Sequence, residues 1–277
     1  MNPTFTGIVE DMPIETYHAH PHLSNSGISA LLRSPAHYKA LSWSESKALR
    51  IGSAVHALLL EPEKAAQLLP VAPDVNKRTN AGKEVFAAWE RSLRADAVIL
   101  QGDEREIAEN CAEAVRTNRL VQVLGLLDKA KAQHELSLFC EIKTDAGSCF
   151  ARARYDILAT GIHTGFDIKT TEDAGHKAFA RSVEKFGYYR QAALYMRVAR
   201  TLGIEIEDDG FVFIAVEKSA PFGVQVYTLD DQAIEQGDRE VMRAAELWAK
   251  CNSANEWPSY EPKINCISLG PWALDAE

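Results

Sequence analysis

The chain has 277 residues, 46% hydrophobic and 25% charged, with a formal net charge of −9; these are globular proportions and exclude general disorder. Its clean apolar runs are short, Phe211–Val216 for example, which excludes a membrane-spanning helix of about 20 apolar residues. Five cysteines without a CxxC pair exclude a disulfide framework or zinc ribbon, and Met1–Thr4 lacks the basic head and apolar run of a secretory leader, so a cytoplasmic location with reduced thiols is expected. The charge is unevenly spread. Residues 205–277 hold 5 basic and 15 acidic residues, whereas 177–200 carries Lys177, Arg181, Lys185, Arg190, Arg197 and Arg200 against Glu184 alone. Cations neutralise phosphates where they sit, so this run suits either a nucleic-acid contact or a solvated helix face.

In chain order, residues 1–22 read as an irregular lead-in. Ser24-Asn25-Ser26 offers an N-cap before Ile28–Arg33, and Ser34-Pro35 offers a second, with Pro at the first helical position. Residues 48–68 predict one helix, and 81–128 predict further helix with breaks near Ala95–Ile99 and Thr117. Strand character follows over Glu135–Ile142, a turn over Asp145–Gly147, and an alternating strand over Ser148–Leu158. Gly161 to Gly165 makes a turn before a short strand, Phe166–Thr170. Ala174–Leu202 predicts a single long helix holding the basic run; Gly210–Glu217 and Gly223–Leu229 predict neighbouring strands; Asp230–Ala249 predicts a last capped helix. The expected fold is α/β: a central mixed sheet of about five strands flanked by helices, with a helical N-terminal part. No repeat or long linker interrupts the chain, so it is read as one domain, with a mainly helical part over 1–130, an α/β core over 131–250 and a tail over 251–277.

Chemistry concentrates on the second and third strands. Alternation places Arg152, Arg154 and Asp156 on one strand face, and Asp167 with Lys169 on one face of the next. Two adjacent strands can so offer two carboxylates and an ammonium to one spot; carboxylates suit a hard cation such as Mg²⁺, and a neighbouring lysine suits charge developing on phosphate. Taken alone, the D-x-K tripeptide is equally a surface ion pair. Gly52 and His56 form a GxxxH run on one helix face, where His56 is either a metal ligand or a structural histidine. Gln191 and Tyr195 form a QxxxY run in the basic helix, suited to positioning a water or phosphate oxygen, or to a half-buried polar pair. Ser26, Arg33 and Ser34 lie at or near helix starts, which favour phosphate, although the serines also serve as simple caps.

Taken together, GxxxH, RxD, DxK and QxxxY in this order resemble the RecB-like branch of the PD-(D/E)xK nuclease superfamily. Leu23-Ser-Asn-Ser-Gly-Ile-Ser-Ala-Leu-Leu-Arg-Ser-Pro-Ala-His-Tyr38, Gly165-Phe-Asp-Ile-Lys-Thr-Thr171 and Phe186-Gly-Tyr-Tyr-Arg-Gln-Ala-Ala-Leu-Tyr195 are similar to the nuclease domain of the RecE (exodeoxyribonuclease VIII) type. The resemblance covers about residues 20–260. It implies a Mg²⁺-dependent exonuclease, with Mn²⁺ as a substitute, that digests linear double-stranded DNA 5′→3′ without ATP. The 3′ single-stranded tails so made serve a RecT-type annealing protein, and a ring-shaped homo-oligomer is implied. It also implies His56, Asp156, Asp167 and the main-chain carbonyl of Ile168 as metal ligands, Lys169 as the catalytic lysine and Gln191 as the residue placing the nucleophilic water. Tyr195 would support its helix or touch DNA; Tyr189 lies in an aromatic-basic stretch that suits DNA, and Arg154 suits a backbone phosphate. Only Cys251 and Cys266 follow the QxxxY run, so no iron–sulfur cluster is expected. A nuclease fold without catalysis, acting as a DNA-binding or assembly module, and a structure-specific endonuclease are the competing readings.

Overall fold

The computed structural model describes residues 4–42 and 46–268. The leader reading at Met1–Pro3 and the end of the tail, 269–277, lie outside the described residues. A six-stranded sheet forms the centre, in the order β1 (Gly7–Val9), β2 (Gln133–Thr144), β3 (Gly147–Ala159), β4 (Thr164–Thr171), β5 (Phe211–Glu217) and β6 (Val224–Tyr227). All neighbours are antiparallel except β4 and β5. A parallel pair needs a crossover, and here α9 (His176–Phe186) and α10 (Tyr188–Thr201) supply it.

One face of the sheet packs Leu136, Leu138, Ala153, Tyr155, Phe211 and Phe213 against α2 (Asn25–Arg33), α10 and α11 (Asp231–Ala254). The other packs Ile157, Phe166, Ile168 and Ile214 against α4 (Lys47–Leu60) and α7 (Glu104–Thr117). Short α1 (Ile14–Ala19) lies over Phe139; α3 (Pro35–Lys39), α5 (Ala65–Leu68), α6 (Asn80–Ser92) and α8 (Arg119–Leu124) complete the helices among the described residues. No helix there is long and apolar enough to cross a membrane.

The expected mixed α/β sheet is present, with one strand more than expected. That strand, β1, lies in the segment read as an irregular lead-in; three residues on a sheet edge leave no periodic signal. The helix expected over 48–68 divides into α4 and α5, with Pro62 between them. The one expected over Ala174–Leu202 also divides, at Gly187, whose φ of +65° ends α9. A side chain there would combine left-handed strain with a clash, since a β-carbon would stand 2.3 Å from the Arg190 guanidinium. The expected caps form: Ser24 accepts from Gly27 N, Ser34 from His37 N, and Asp230 from Ala233 N.

Candidate metal centre and nuclease site

The strand alternation expected over Ser148–Leu158 changes phase beside Asp156. Tyr155 and Leu158 both join the α10 side, and Ile157 joins the α4 side. Opposite Asp156, between the pairs Leu136↔Tyr155 and His134↔Ile157, Glu135 takes φ +50°. A left-handed non-glycine residue inside a strand is strained, and such positions cluster at sites where geometry matters. Tyr155 lies so close to β4 that a β-carbon at Gly165 would stand 2.1 Å from its ring; only glycine fits.

Pairing between β3 and β4 covers Ile157↔Phe166, Leu158↔Gly165 and Ala159↔Thr164. Beyond Phe166 the strands part. In a strand, the N–H and C=O of one residue point to the same edge, so both polar groups of Ile168 face the opening. Side chains take them. Ile168 N donates to Asp156 Oδ2 at 2.7 Å, and Ile168 O lies 3.1 Å from His56 Nε2. His56 Nε2 is also 3.6 Å from Asp156 Oδ2. Cis ligands of an octahedral Mg²⁺ stand roughly 3 Å apart, from bonds of about 2.1 Å. The separations of the imidazole nitrogen from the carboxylate and from the carbonyl are therefore close to those of neighbouring ligands on one divalent cation.

Asp167 and Lys169 reach the opening from the α10 face. Lys169 Nζ is 2.6 Å from Asp167 Oδ2 and 4.8 Å from the centre of the Tyr188 ring. Gln191 Nε2 donates to Asp167 Oδ1 at 2.6 Å. Asp167 is 2% exposed, and its two oxygens are engaged by Gln191 and by the Lys169 ammonium. The two carboxylates therefore come from adjacent strands, as expected, and lie close enough for the charge of Asp167 to act on Asp156.

One member of the cluster carried no sequence signal. His56, Glu135 and Asp156 offer ligand atoms that all lie within 4.8 Å of one another. Glu135 Oε1 is 3.5 Å from His56 Nδ1, and Glu135 Oε2 accepts from Arg154 Nε at 2.6 Å. A carboxylate on the far nitrogen of a ligating imidazole fixes its orientation. The register could have shown Glu135, because it falls opposite Asp156 once β2 and β3 are aligned.

Electrostatics follow from this crowding. Burial pushes the Asp156 carboxyl up to about 7, with the charges of Asp167 and Glu135 adding to it and His56 and Lys169 opposing. Burial alone would lower His56, but Asp156 and Glu135 hold its imidazolium up to about 10. Glu135 stays ionised: burial opposes this, yet His56 and Arg154 bring it down to about 2. For Lys169 burial is again the adverse factor, and Asp167 and Asp156 overcome it, so its pKa is raised.

The other expected contact residues are placed differently. Arg154 is 8% exposed and gives its remaining bonds to Met12 O and Ser137 Oγ; the structure turns it inward as the anchor of Glu135, a correction to its expected phosphate role. Arg152 likewise caps the carbonyls of Tyr17 and His20 beneath α1. Ser34, 6% exposed, is occupied in capping α3 and bonding His37. Ser26 is exposed beside Ser24, and exposed Arg33 meets the Tyr260 hydroxyl. Tyr189 bonds Glu240, and Tyr195 packs against Tyr155 and Phe211 as a helix-supporting ring. Gly52 is not needed for packing, since a β-carbon there would meet only Thr170 Oγ1 at 3.6 Å. It opens a groove of about 850 Å³ between α4 and α9, into which His56 and Lys169 look.

No curated protein matches this sequence. The crystal structure of a "Putative exonuclease" from Eubacterium rectale is similar over 97% of this chain and 99% of that one, with a TM-score of 0.57 and 14% identity, which shows a shared fold. The crystal structure of SSO0001 aligns with 51% of this chain and 68% of that one at a TM-score of 0.29 and 15% identity, too low to bear on the fold. Residues 24–269, which include the whole cluster, match the family described as a PDDEXK-like domain of unknown function (DUF3799), and the chain belongs to that family.

Proposed function

We propose that this chain is a divalent-metal-dependent deoxyribonuclease, using Mg²⁺ with Mn²⁺ as a substitute, that digests linear double-stranded DNA 5′→3′ without ATP. The 3′ tails it leaves would serve recombination by a RecT-type annealing protein in the cytoplasm, with the nuclease working as a ring-shaped homo-oligomer threaded by DNA. The observation that carries the reading is the couple of buried Asp167 with Lys169, whose lysine lines the groove, near an imidazole, carboxylate and carbonyl set close together. The "Putative exonuclease" of the same fold supports it.

Each residue has a task. A divalent cation, when bound, supplies Lewis acidity toward phosphate and water. His56, Asp156, Asp167 and the Ile168 carbonyl would hold it. Lys169, kept protonated by its two carboxylate neighbours, presents positive charge to the groove where charge grows on a phosphate under attack. Gln191 fixes the rotamer of Asp167, and Glu135 fixes the ring of His56. The carboxylate and carbonyl oxygens suit Mg²⁺ or Mn²⁺, and the imidazole is the donor that sets Mn²⁺ ahead of Mg²⁺ in affinity.

The test is digestion of end-labelled linear duplex, with and without a 5′ phosphate, in Mg²⁺ and in EDTA, beside a closed circle. Loss of label from the 5′-labelled strand first, only in Mg²⁺, with the circle spared, is the expected result. Cutting of the circle would make the chain an endonuclease; binding without cutting would make it an assembly module.

A further inference from the structure

The stripe Phe179, Val183 and Phe186 on α9 has the i, i+4, i+7 spacing of a core-facing helix face. Its burial does not stay constant. Phe179 is 2% exposed, Val183 is intermediate, and Phe186 is 51% exposed. The stripe runs out of the core and into the groove that His56 and Lys169 share. Phe186 is nevertheless held. Its ring stacks on Tyr188, centroids 5.6 Å apart at 29°, and Tyr188 stacks in turn on buried Phe213 at 5.6 Å and 27°. Gly187, in the left-handed conformation, makes the turn that brings these two rings together. Lys169 Nζ lies over the same Tyr188 ring. An aromatic ladder therefore leads from the core past the candidate catalytic lysine to an open ring in solvent. Cations surround that ring: Lys185 Nζ is 5.1 Å from its centre, and exposed Arg181 lines the same groove.

We propose that Phe186 is a stacking platform for an unpaired base, so that the strand end entering the groove is single-stranded at the site while the duplex continues outside. The inference rests on the nuclease reading above and names the form of its substrate. A rigid aromatic face beside a basic groove grips single-stranded DNA by stacking and backbone neutralisation, whatever the sequence. A terminal base pair offers only its outward face, end-on, whereas an unpaired base can turn onto a ring on the groove wall, so the platform favours a frayed end over a blunt one. Lys185 and Arg181 neutralise the flanking phosphates.

The experiment measures binding of two fluorescein-labelled duplexes in Ca²⁺, one blunt and one with two unpaired 5′ nucleotides, by wild type, Phe186→Ala and Phe186→Trp. Wild type is expected to bind the unpaired end several-fold more tightly. Phe186→Ala is expected to lose roughly ten-fold on that substrate and the preference with it, and Phe186→Trp to keep both. Unchanged affinities in Phe186→Ala, or an equal loss on both duplexes, would overturn the proposal. The wild-type protein is run with Mg²⁺ on the same DNA. Failure to cut there overturns the nuclease reading, whereas cutting with no role for Phe186 overturns only this inference.

Discussion

The carboxylate of Asp156 completes the backbone of Ile168: Oδ2 accepts the N–H at 2.7 Å at the point where β3 and β4 stop pairing. The side chain thus has two duties, closing the sheet and offering charge to a cation, and substitution separates them. Asp156→Asn keeps an acceptor for Ile168 N–H but removes a charge that burial disfavours. It is expected to lose at least a thousand-fold in nuclease rate while melting in EDTA above Asp156→Ala. Asp156→Ala orphans the N–H and is expected to cost about 1–3 kcal/mol as well. Paired cleavage assays and thermal melts check both.

Protonation of His56 supplies the next expectation. Its folded pKa, about 10, is raised above the ordinary 6.5, so its contribution is fully present below pH 6.5 and is lost as pH rises through 10. Asp156, raised from 3.8 to about 7, loses stability in the same direction between those values. Between pH 4 and 6.5 the lowered imidazole of His22 opposes Asp156, so metal-free protein is expected to melt at progressively lower temperature as pH rises from about 6.5 to 10. A divalent cation takes the place of the proton, so Mg²⁺ or Mn²⁺ should stabilise more at pH 9 than at pH 6. Melting in EDTA and in each metal across this range is the measurement.

Much of this site is legible along the chain. His56, Asp156, Asp167, Lys169 and Gln191 stand in runs whose spacing survives as sequence; the structure joins His56 and Asp156 at Ile168, and Lys169 and Gln191 at Asp167. Glu135 is not legible that way. Its place depends on the alignment of two strands and on a left-handed backbone that no local residue type announces. Arg154 misleads for a related reason. Its charge suits phosphate, but its partners, Met12 O and Glu135, are 142 and 19 residues away in sequence. The fold shows the same division: periodic strands and caps are readable, whereas three-residue β1 leaves no periodic signal and the break at Gly187 is one glycine cap inside a run that otherwise reads as helix.

Arg154 gives a sharper expectation. Arg154→Met leaves buried Glu135 with His56 as its cationic partner, and breaking a buried pair costs up to about 3–5 kcal/mol. Arg154→Met with Glu135→Gln should recover part of that loss. Because Arg154 faces inward, Arg154→Met should leave the salt dependence of DNA binding unchanged. Arg181→Ala, on the exposed groove wall, should lower that slope by about one charge. Urea denaturation and binding at several salt concentrations distinguish the two.

Gly52 separates stability from access. Packing leaves room for a methyl group, so Gly52→Ala is expected to stabilise α4 by about 0.5–1 kcal/mol. Gly52→Phe fills the groove and is expected to weaken DNA binding at least ten-fold without unfolding the protein. Melting temperature and DNA affinity, measured on both variants, decide this.

Anomalous diffraction from crystals grown with Mn²⁺ tests the cation site itself. The strongest peak is expected within bonding distance of His56 Nε2, the Asp156 carboxylate and the Ile168 carbonyl, with Lys169 still beside Asp167. Manganese bound elsewhere, with His56 turned away from Asp156, would contradict the account.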